Sequence, residues 1–311
     1  MHSSALALLA ARTELSMDSA RFLEASRFGP THATTNPSLI LKACEDGEYD
    51  ALVSDSIRLH RNEGTRGIAD RILLRFCTEM LERIPGQVSL EIDARQASSV
   101  EGSLSHARRI VHLCREAGVR DRVLVKIPAT WEGIQAADAL RREGVPCNMT
   151  LVFSMLQALL CARRCLYLIS PFVGRISDCM PATQGRPGNA DQGVALLLRI
   201  HSRLRQEGHG TKIMAASFRN ERQVIMSAPC GLVTIGESIM LRLSAMRAHG
   251  MPTAGAPGNV DLPCCPAPQD SHGFYRALSQ NRTAWRELAR GVDAFAHDDM
   301  ALARLISSRL P

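Results

Sequence analysis

The middle of this chain alternates between two hydrophobic periods, and that alternation limits what it can fold into. Residues 122–127 form a short β-rich apolar run. Residues 131–143 then place Ile134, Ala137 and Leu140 on one helical face before Gly144 stops the helix. Residues 147–151 read as a second strand, Ser154-Met-Leu-Gln157 is a capping-box pattern opening a helix through Arg164, and residues 166–170 are the next strand. Neighbouring parallel strands require a crossover of about a dozen residues or more, usually a helix, and this spacing supplies one each time. The middle of the chain is therefore a series of βαβ units.

The same rhythm extends outward. Upstream strands are predicted at 14–18, 31–35 and 87–92, with an amphipathic helix at 105–117 closed by Gly118; downstream strands follow at 212–216 and 232–235. Eight strands alternating with helices fit a single (β/α)8 barrel of the TIM type across 1–311 better than an open sheet. Residues 249–273 break the pattern with five prolines and several glycines, and read as a surface loop. Residues 283–310 return as one or two helices carrying Trp285, Leu288, Val292, Phe295 and Leu302, expected to pack on the barrel. The stretch after the loop is too short to fold alone, so the loop is not a domain linker.

Composition narrows the function classes. A net charge of +6 favours anionic ligands. The arginines are scattered, with no basic run and no interleaved aromatics, so no nucleic-acid partner is expected. The ten cysteines form no paired CxxC and no Cys/His ligand set, which points to a reduced cytoplasmic protein using cysteine as a small hydrophobe, with no metal. No apolar run reaches the roughly eighteen residues of a membrane span. Residues 4–11 are apolar but short and lack a basic flank, so a helix is expected there rather than a signal peptide. A homodimer is allowed but not specified.

Among the 37 basic residues only Lys42, Lys126 and Lys212 are lysines. Lys126 lies inside Arg122-Val-Leu-Val-Lys-Ile-Pro128, an apolar run where a cation is unwelcome. Arginine stays charged at any relevant pH, whereas a desolvated lysine can lose its proton and act as a nucleophile. An unperturbed lysine is only about 0.04% neutral at pH 7, so burial and nearby charge must activate it. Polar residues recur at the C-terminal ends of the other predicted strands: Asp18, Asn36, Glu91, Asn148 with Thr150, Ser170 and, beyond it, Arg175, and Ser217 with Arg219. That end of a (β/α)8 barrel is where active sites are built. Each residue has a plainer reading. Asp18 could cap a helix, Asn36 could be a turn residue before Pro37, Lys126 could be a paired core lysine, and the serines and arginines could be ordinary loop polars. Asn148 and Thr150, two apart, share one face of their strand. Taken together, the set suits covalent amine catalysis on a carbonyl, with a carboxylate moving protons and arginines holding an anion.

The same residues sit in motifs that resemble those of the transaldolase family. Ala33-Thr-Thr-Asn-Pro-Ser-Leu-Ile40 resembles its N-terminal signature. Glu91-Ile-Asp-Ala-Arg95, Val123-Leu-Val-Lys-Ile127 with Thr130-Trp-Glu-Gly-Ile134, and Cys147-Asn-Met-Thr-Leu151 look like the next three. Leu168-Ile-Ser-Pro-Phe-Val-Gly-Arg175 and Ala216-Ser-Phe-Arg-Asn220 complete the set, in family order, over roughly residues 15–235. The resemblance implies a (β/α)8 barrel that moves a dihydroxyacetone unit between sugar phosphates in the non-oxidative pentose phosphate pathway, with no cofactor. It implies Lys126 as the Schiff-base lysine, Asp18 as the general acid/base, and Glu91 with Thr150 as the pair that positions the catalytic water. It also implies that Asn36, Asn148 and Ser170 hold the covalent intermediate, and that Arg175, Ser217 and Arg219 bind the phosphate. Phe172 stands where relatives that only cleave or form the aldol carry Tyr, which favours transfer.

Several positions depart from the family pattern. His32 replaces an acidic residue, Leu90 a small hydroxyl residue, Ala215 a glycine and Cys179 a tryptophan, and the loop 180–192 lacks the usual lysines. Two other readings stay open on the sequence alone: a transaldolase-like aldolase or aldol-transfer enzyme of a specialised sugar pathway, and an inactive barrel with a binding role.

Overall fold

Eight parallel strands close into a barrel in chain order, and each predicted strand is present with its ends within two residues of expectation. They are β1 (Glu14–Asp18), β2 (His32–Thr34), β3 (Val88–Glu91), β4 (Val123–Pro128), β5 (Cys147–Val152), β6 (Leu168–Pro171), β7 (Lys212–Ala215) and β8 (Gly231–Gly236). β8 pairs with β1 over five residues, which completes the closure. The computed structural model describes residues 4–179, 191–248 and 268–310. Most of the 249–273 segment and of the 180–192 loop therefore lies outside the described residues.

The barrel interior is layered by chemistry. Inward positions alternate along each strand, so a layer two residues below Lys126, Ser170 and Thr234 holds Leu124, Leu168 and Leu232, joined by Met214 in a separate apolar cluster. Above it the inward residues turn polar, which is why an apolar pattern alone does not describe these strands.

The last turn of β5 departs from regular geometry. Leu151 adopts φ +56°, and the β5–β6 register shifts between Met149 and Val152. For a residue with a Cβ this conformation costs about 1–2 kcal/mol. Gln157, fully buried, ties it down: its amide donates to the carbonyls of Ala129 (2.9 Å) and Leu151 (3.0 Å), while its oxygen accepts from Phe153 N (2.9 Å). The predicted cap at Ser154 is present, accepting from Gln157 N at 3.2 Å, and the return bond goes to the residue before the cap.

The C-terminal region is one 28-residue helix, Arg282–Arg309, about 42 Å long at the usual rise. It packs on the helices Pro37–Glu45 and Gly64–Leu81, on the turn Ala94–Gln96 and on β5, burying Leu288, Phe295, Leu302 and Ile306. Gly291 permits the close approach to β5, because a Cβ there would fall 2.7 Å from Leu151 Cδ2. A separate helix, Ser271–Ser279, starts inside the stretch expected to be loop. Asp270 caps it by accepting from Gly273 N at 2.7 Å, a local signal that the surrounding prolines and glycines obscure. The predicted N-terminal helix is present at Ala5–Ala10. No helix among the described residues is long and apolar enough to cross a membrane.

Candidate active site

Nine of the eleven predicted site residues line one cavity of about 280 Å³ at the C-terminal end of the barrel. Asp18, Asn36, Lys126, Thr150 and Ser170 form its inner part, and Phe172, Arg175, Ser217 and Arg219 line it with them. Glu91 and Asn148 stand directly behind, side by side with Lys126 in the sheet register. Asn36 also caps the helix Pro37–Glu45, accepting from Leu39 N at 2.9 Å, so one residue both turns the chain and lines the cavity.

Lys126 is 4% exposed and reaches Glu91, itself 5% exposed. Its Nζ lies 2.9 Å from Glu91 Oε2 and donates to the Thr35 carbonyl at 2.8 Å. The Glu91 contact is an ion pair by distance, but it lies off the hydrogen-bonding direction, so neither carboxylate oxygen has an aligned protein donor among the described residues. Burial pushes the Glu91 carboxyl above the usual carboxylate range, with the Lys126 charge acting in the opposite sense. The Thr150 hydroxyl, fully buried on the same wall, also lacks a protein partner among the described residues.

Two hydrogen-bonded chains flank this centre. Asp18 Oδ1 accepts from Thr34 Oγ1 at 2.8 Å, and Thr34 Oγ1 lies 2.7 Å from Thr234 Oγ1. Across the barrel, Ser170 Oγ donates to Asn148 Oδ1 at 2.7 Å, and Asn148 Nδ2 donates to Ser89 Oγ at 3.1 Å. Asn148 thus meets the cavity through Ser170. Thr34, Thr234 and Ser89 were missed in the sequence. Their only signal is period: each is inward in its strand, level with or just below a predicted site residue.

The outer part of the cavity is cationic. Arg175 has no ion pair within 4 Å among the described residues, and its guanidinium lies over Phe172 (5.3 Å) and Phe295 (5.9 Å). Burial lowers its pKa from the ordinary value, opposed by Glu287, while Arg219 adds to the lowering. Arg219 is half-exposed and paired with Asp178 at 2.8 Å. Ser217 takes φ +61°, and its carbonyl accepts from Gly174 N at 2.8 Å. A Cβ at Gly174 would stand 2.0 Å from that oxygen, so only glycine lets the end of β6 close on this turn. The pair of arginines with a serine hydroxyl can hold a dianion. Among the described residues no group of three or more His, Cys, Asp or Glu is placed to hold a metal.

Four departures from the family pattern lie among the described residues, and none of the four lines the cavity. Leu90 and Ala215 point outward into the core under the helices. His32 sits at the N-terminal end of β2, accepting from Gln87 N and facing Glu14 at 3.0 Å. Cys179 ends the helix Val173–Cys179, between Glu287 Oε1 (3.2 Å) and Arg286 Nη2 (3.1 Å).

The family model described as transaldolase/fructose-6-phosphate aldolase matches residues 15–306. A transaldolase of Methylibium petroleiphilum is 39% identical, over 98% of this chain and 99% of that protein. A solved mandelate oxidase bearing an FMN adduct overlaps 58% of this chain and 55% of its own at 16% identity and a TM-score of 0.34, too low to carry an argument. The barrel, the polar rim and the full-length match lead to one conclusion: the chain belongs to the transaldolase/fructose-6-phosphate aldolase family and is a transaldolase enzyme.

Proposed function

We propose that the chain transfers a dihydroxyacetone unit from sedoheptulose 7-phosphate or fructose 6-phosphate to glyceraldehyde 3-phosphate or erythrose 4-phosphate, through a Schiff base on Lys126. The carrying observation is the buried Lys126–Glu91 contact of 2.9 Å. With the shared proton on Glu91, Lys126 is a neutral amine facing the cavity, able to attack the donor's ketone. The carbon–oxygen bond of the adduct then breaks, and the oxygen leaves as water with one proton from Nζ and one from Glu91. The resulting iminium at C2 draws in the electrons of the C3–C4 bond, which become the C2–C3 double bond of an enamine. Asp18, oriented by Thr34, takes the proton from the C4 hydroxyl as that bond opens and returns it to the incoming aldehyde.

Glu91 and Thr150 hold the water of the final hydrolysis. Asn36, Ser170 and, through Ser170, Asn148 hold the intermediate's hydroxyls. Arg175, Ser217 and Arg219 bind the phosphate away from the reacting carbon, which fixes the ketone at Lys126 and converts distant binding energy into orientation. Such a substrate places the reaction in the non-oxidative pentose phosphate pathway.

The test is release of glyceraldehyde 3-phosphate from fructose 6-phosphate with and without erythrose 4-phosphate. Transfer predicts release that depends on the acceptor. Equal release without it would assign the chain to simple aldol cleavage, and Phe172, seated against Phe153 at 5.5 Å, would no longer mark a transferase.

A further inference from the structure

The ion pair at the centre of the site also separates two cavities. Lys126 lines the rim cavity described above, whereas Glu91 lines a second one of about 350 Å³. This second cavity lies beyond the end of β3, walled by the helices Pro37–Glu45, Gly64–Leu81 and Arg282–Arg309, and Asn36 borders both spaces. Near Glu91 its wall is polar. Asp299, on the C-terminal helix, accepts from Ala94 N at 2.9 Å. Burial pushes the Asp299 carboxyl up to about 8, the Ala94 bond pulling the other way and the charges of Asp93 and Glu91 adding to the rise. A neutral carboxyl there can both donate and accept hydrogen bonds. The Glu91 side chain, 1% exposed, stands between the two spaces, and among the described residues its two carboxyl oxygens have no aligned protein donor.

We propose that this second cavity is the route by which water leaves and re-enters the Lys126–Glu91 pair while a sugar phosphate fills the rim cavity. The inference rests on the Schiff-base reading. Each Schiff base formed expels one water, and each hydrolysis consumes one. In that reading a ketose held at its carbonyl by Lys126 and at its phosphate by Arg175 and Arg219 fills the rim cavity from its inner wall to its outer part. The acid that loses its proton to the departing water belongs to the residue that borders the second cavity, and a swing of that one side chain, which no aligned hydrogen bond holds among the described residues, joins the two spaces.

The test follows the oxygen. Fructose 6-phosphate carrying heavy oxygen at its carbonyl loses the label to solvent faster than the free sugar does only if the expelled water escapes before the Schiff base reverts. Ala303→Phe on the C-terminal helix and Ala69→Met on the facing helix fill the second cavity from opposite walls. Borohydride trapping of the adduct on Lys126, measured in parallel, counts Schiff bases formed, and thermal melting reports folding. The expected result is that label loss per trapped adduct falls roughly tenfold in both variants, with trapping itself kept. An unchanged ratio in either variant that still melts and traps as the parent does would overturn the route. No trapping in the parent would instead overturn the Schiff-base reading.

Discussion

The two ends of the barrel carry similar polar residues and treat them in opposite ways. At the N-terminal end, Glu14 faces His32 at 3.0 Å, His32 accepts from Gln87 N, and Lys212 donates to the Tyr167 hydroxyl at 3.2 Å. The unpartnered buried atoms toward that end, Thr13 Oγ1 and Ser16 Oγ, are neutral hydroxyls. At the C-terminal end, the acid Glu91 and the hydroxyl of Thr150 are buried without an aligned partner, and Arg175 has no carboxylate within 4 Å among the described residues. Between them lies the apolar layer of Leu124, Leu168, Met214 and Leu232. Among the described residues, the lower end thus leaves only neutral hydroxyls unpaired, whereas the upper end leaves a buried acid and a guanidinium.

This contrast can be broken in order of effect. Asp18→Asn keeps the hydrogen bond from Thr34 but removes the base, so kcat falls roughly 10²–10⁴-fold with little change in KM; steady-state kinetics with the natural donor checks it. Leu168→Ala, in the middle layer, should cost about 2–5 kcal/mol of stability in urea titrations while the folded fraction retains its kcat. A matching loss of kcat would mean the two halves are not separable. Arg175→Ala removes a charge-assisted contact and should cost about 1.5–3 kcal/mol in kcat/KM for phosphorylated donors. Borohydride trapping of free dihydroxyacetone, which carries no phosphate and needs no acceptor, should be almost unaffected. Glu14→Gln, at the partly exposed lower end, should change the melting free energy by no more than about 1 kcal/mol and leave turnover intact.

The barrel was legible because βα rhythm survives any choice of core residue: Ile134, Ala137 and Leu140 carry the helical face and Gly144 ends it, as the structure has it. Lys126 stood out as a candidate because arginine cannot replace a group that must deprotonate, and the structure places it in the wall of the rim cavity. Thr34 and Thr234 were not, since a threonine in a strand is equally a packing residue, and only their 2.7 Å contact across the barrel gives them a role beside Asp18. The single C-terminal helix was half legible. Its apolar stripe showed, but its position over the rim depends on Gly291 meeting Leu151 and on Asp299 meeting Ala94, contacts between residues far apart in the chain. The helix Ser271–Ser279 was hidden by its neighbours, because four residues of capping signal follow a stretch dominated by proline.

The central claim is that Lys126, and neither of the other two lysines, captures the donor ketone. Borohydride reduction in the presence of fructose 6-phosphate, followed by peptide mass mapping, tests it directly. The account predicts a single reduced sugar-phosphate adduct on Lys126, absent in Lys126→Arg and unaffected by Lys212→Ala. An adduct on Lys42 or Lys212, or no adduct in an enzyme that still turns over, would contradict it.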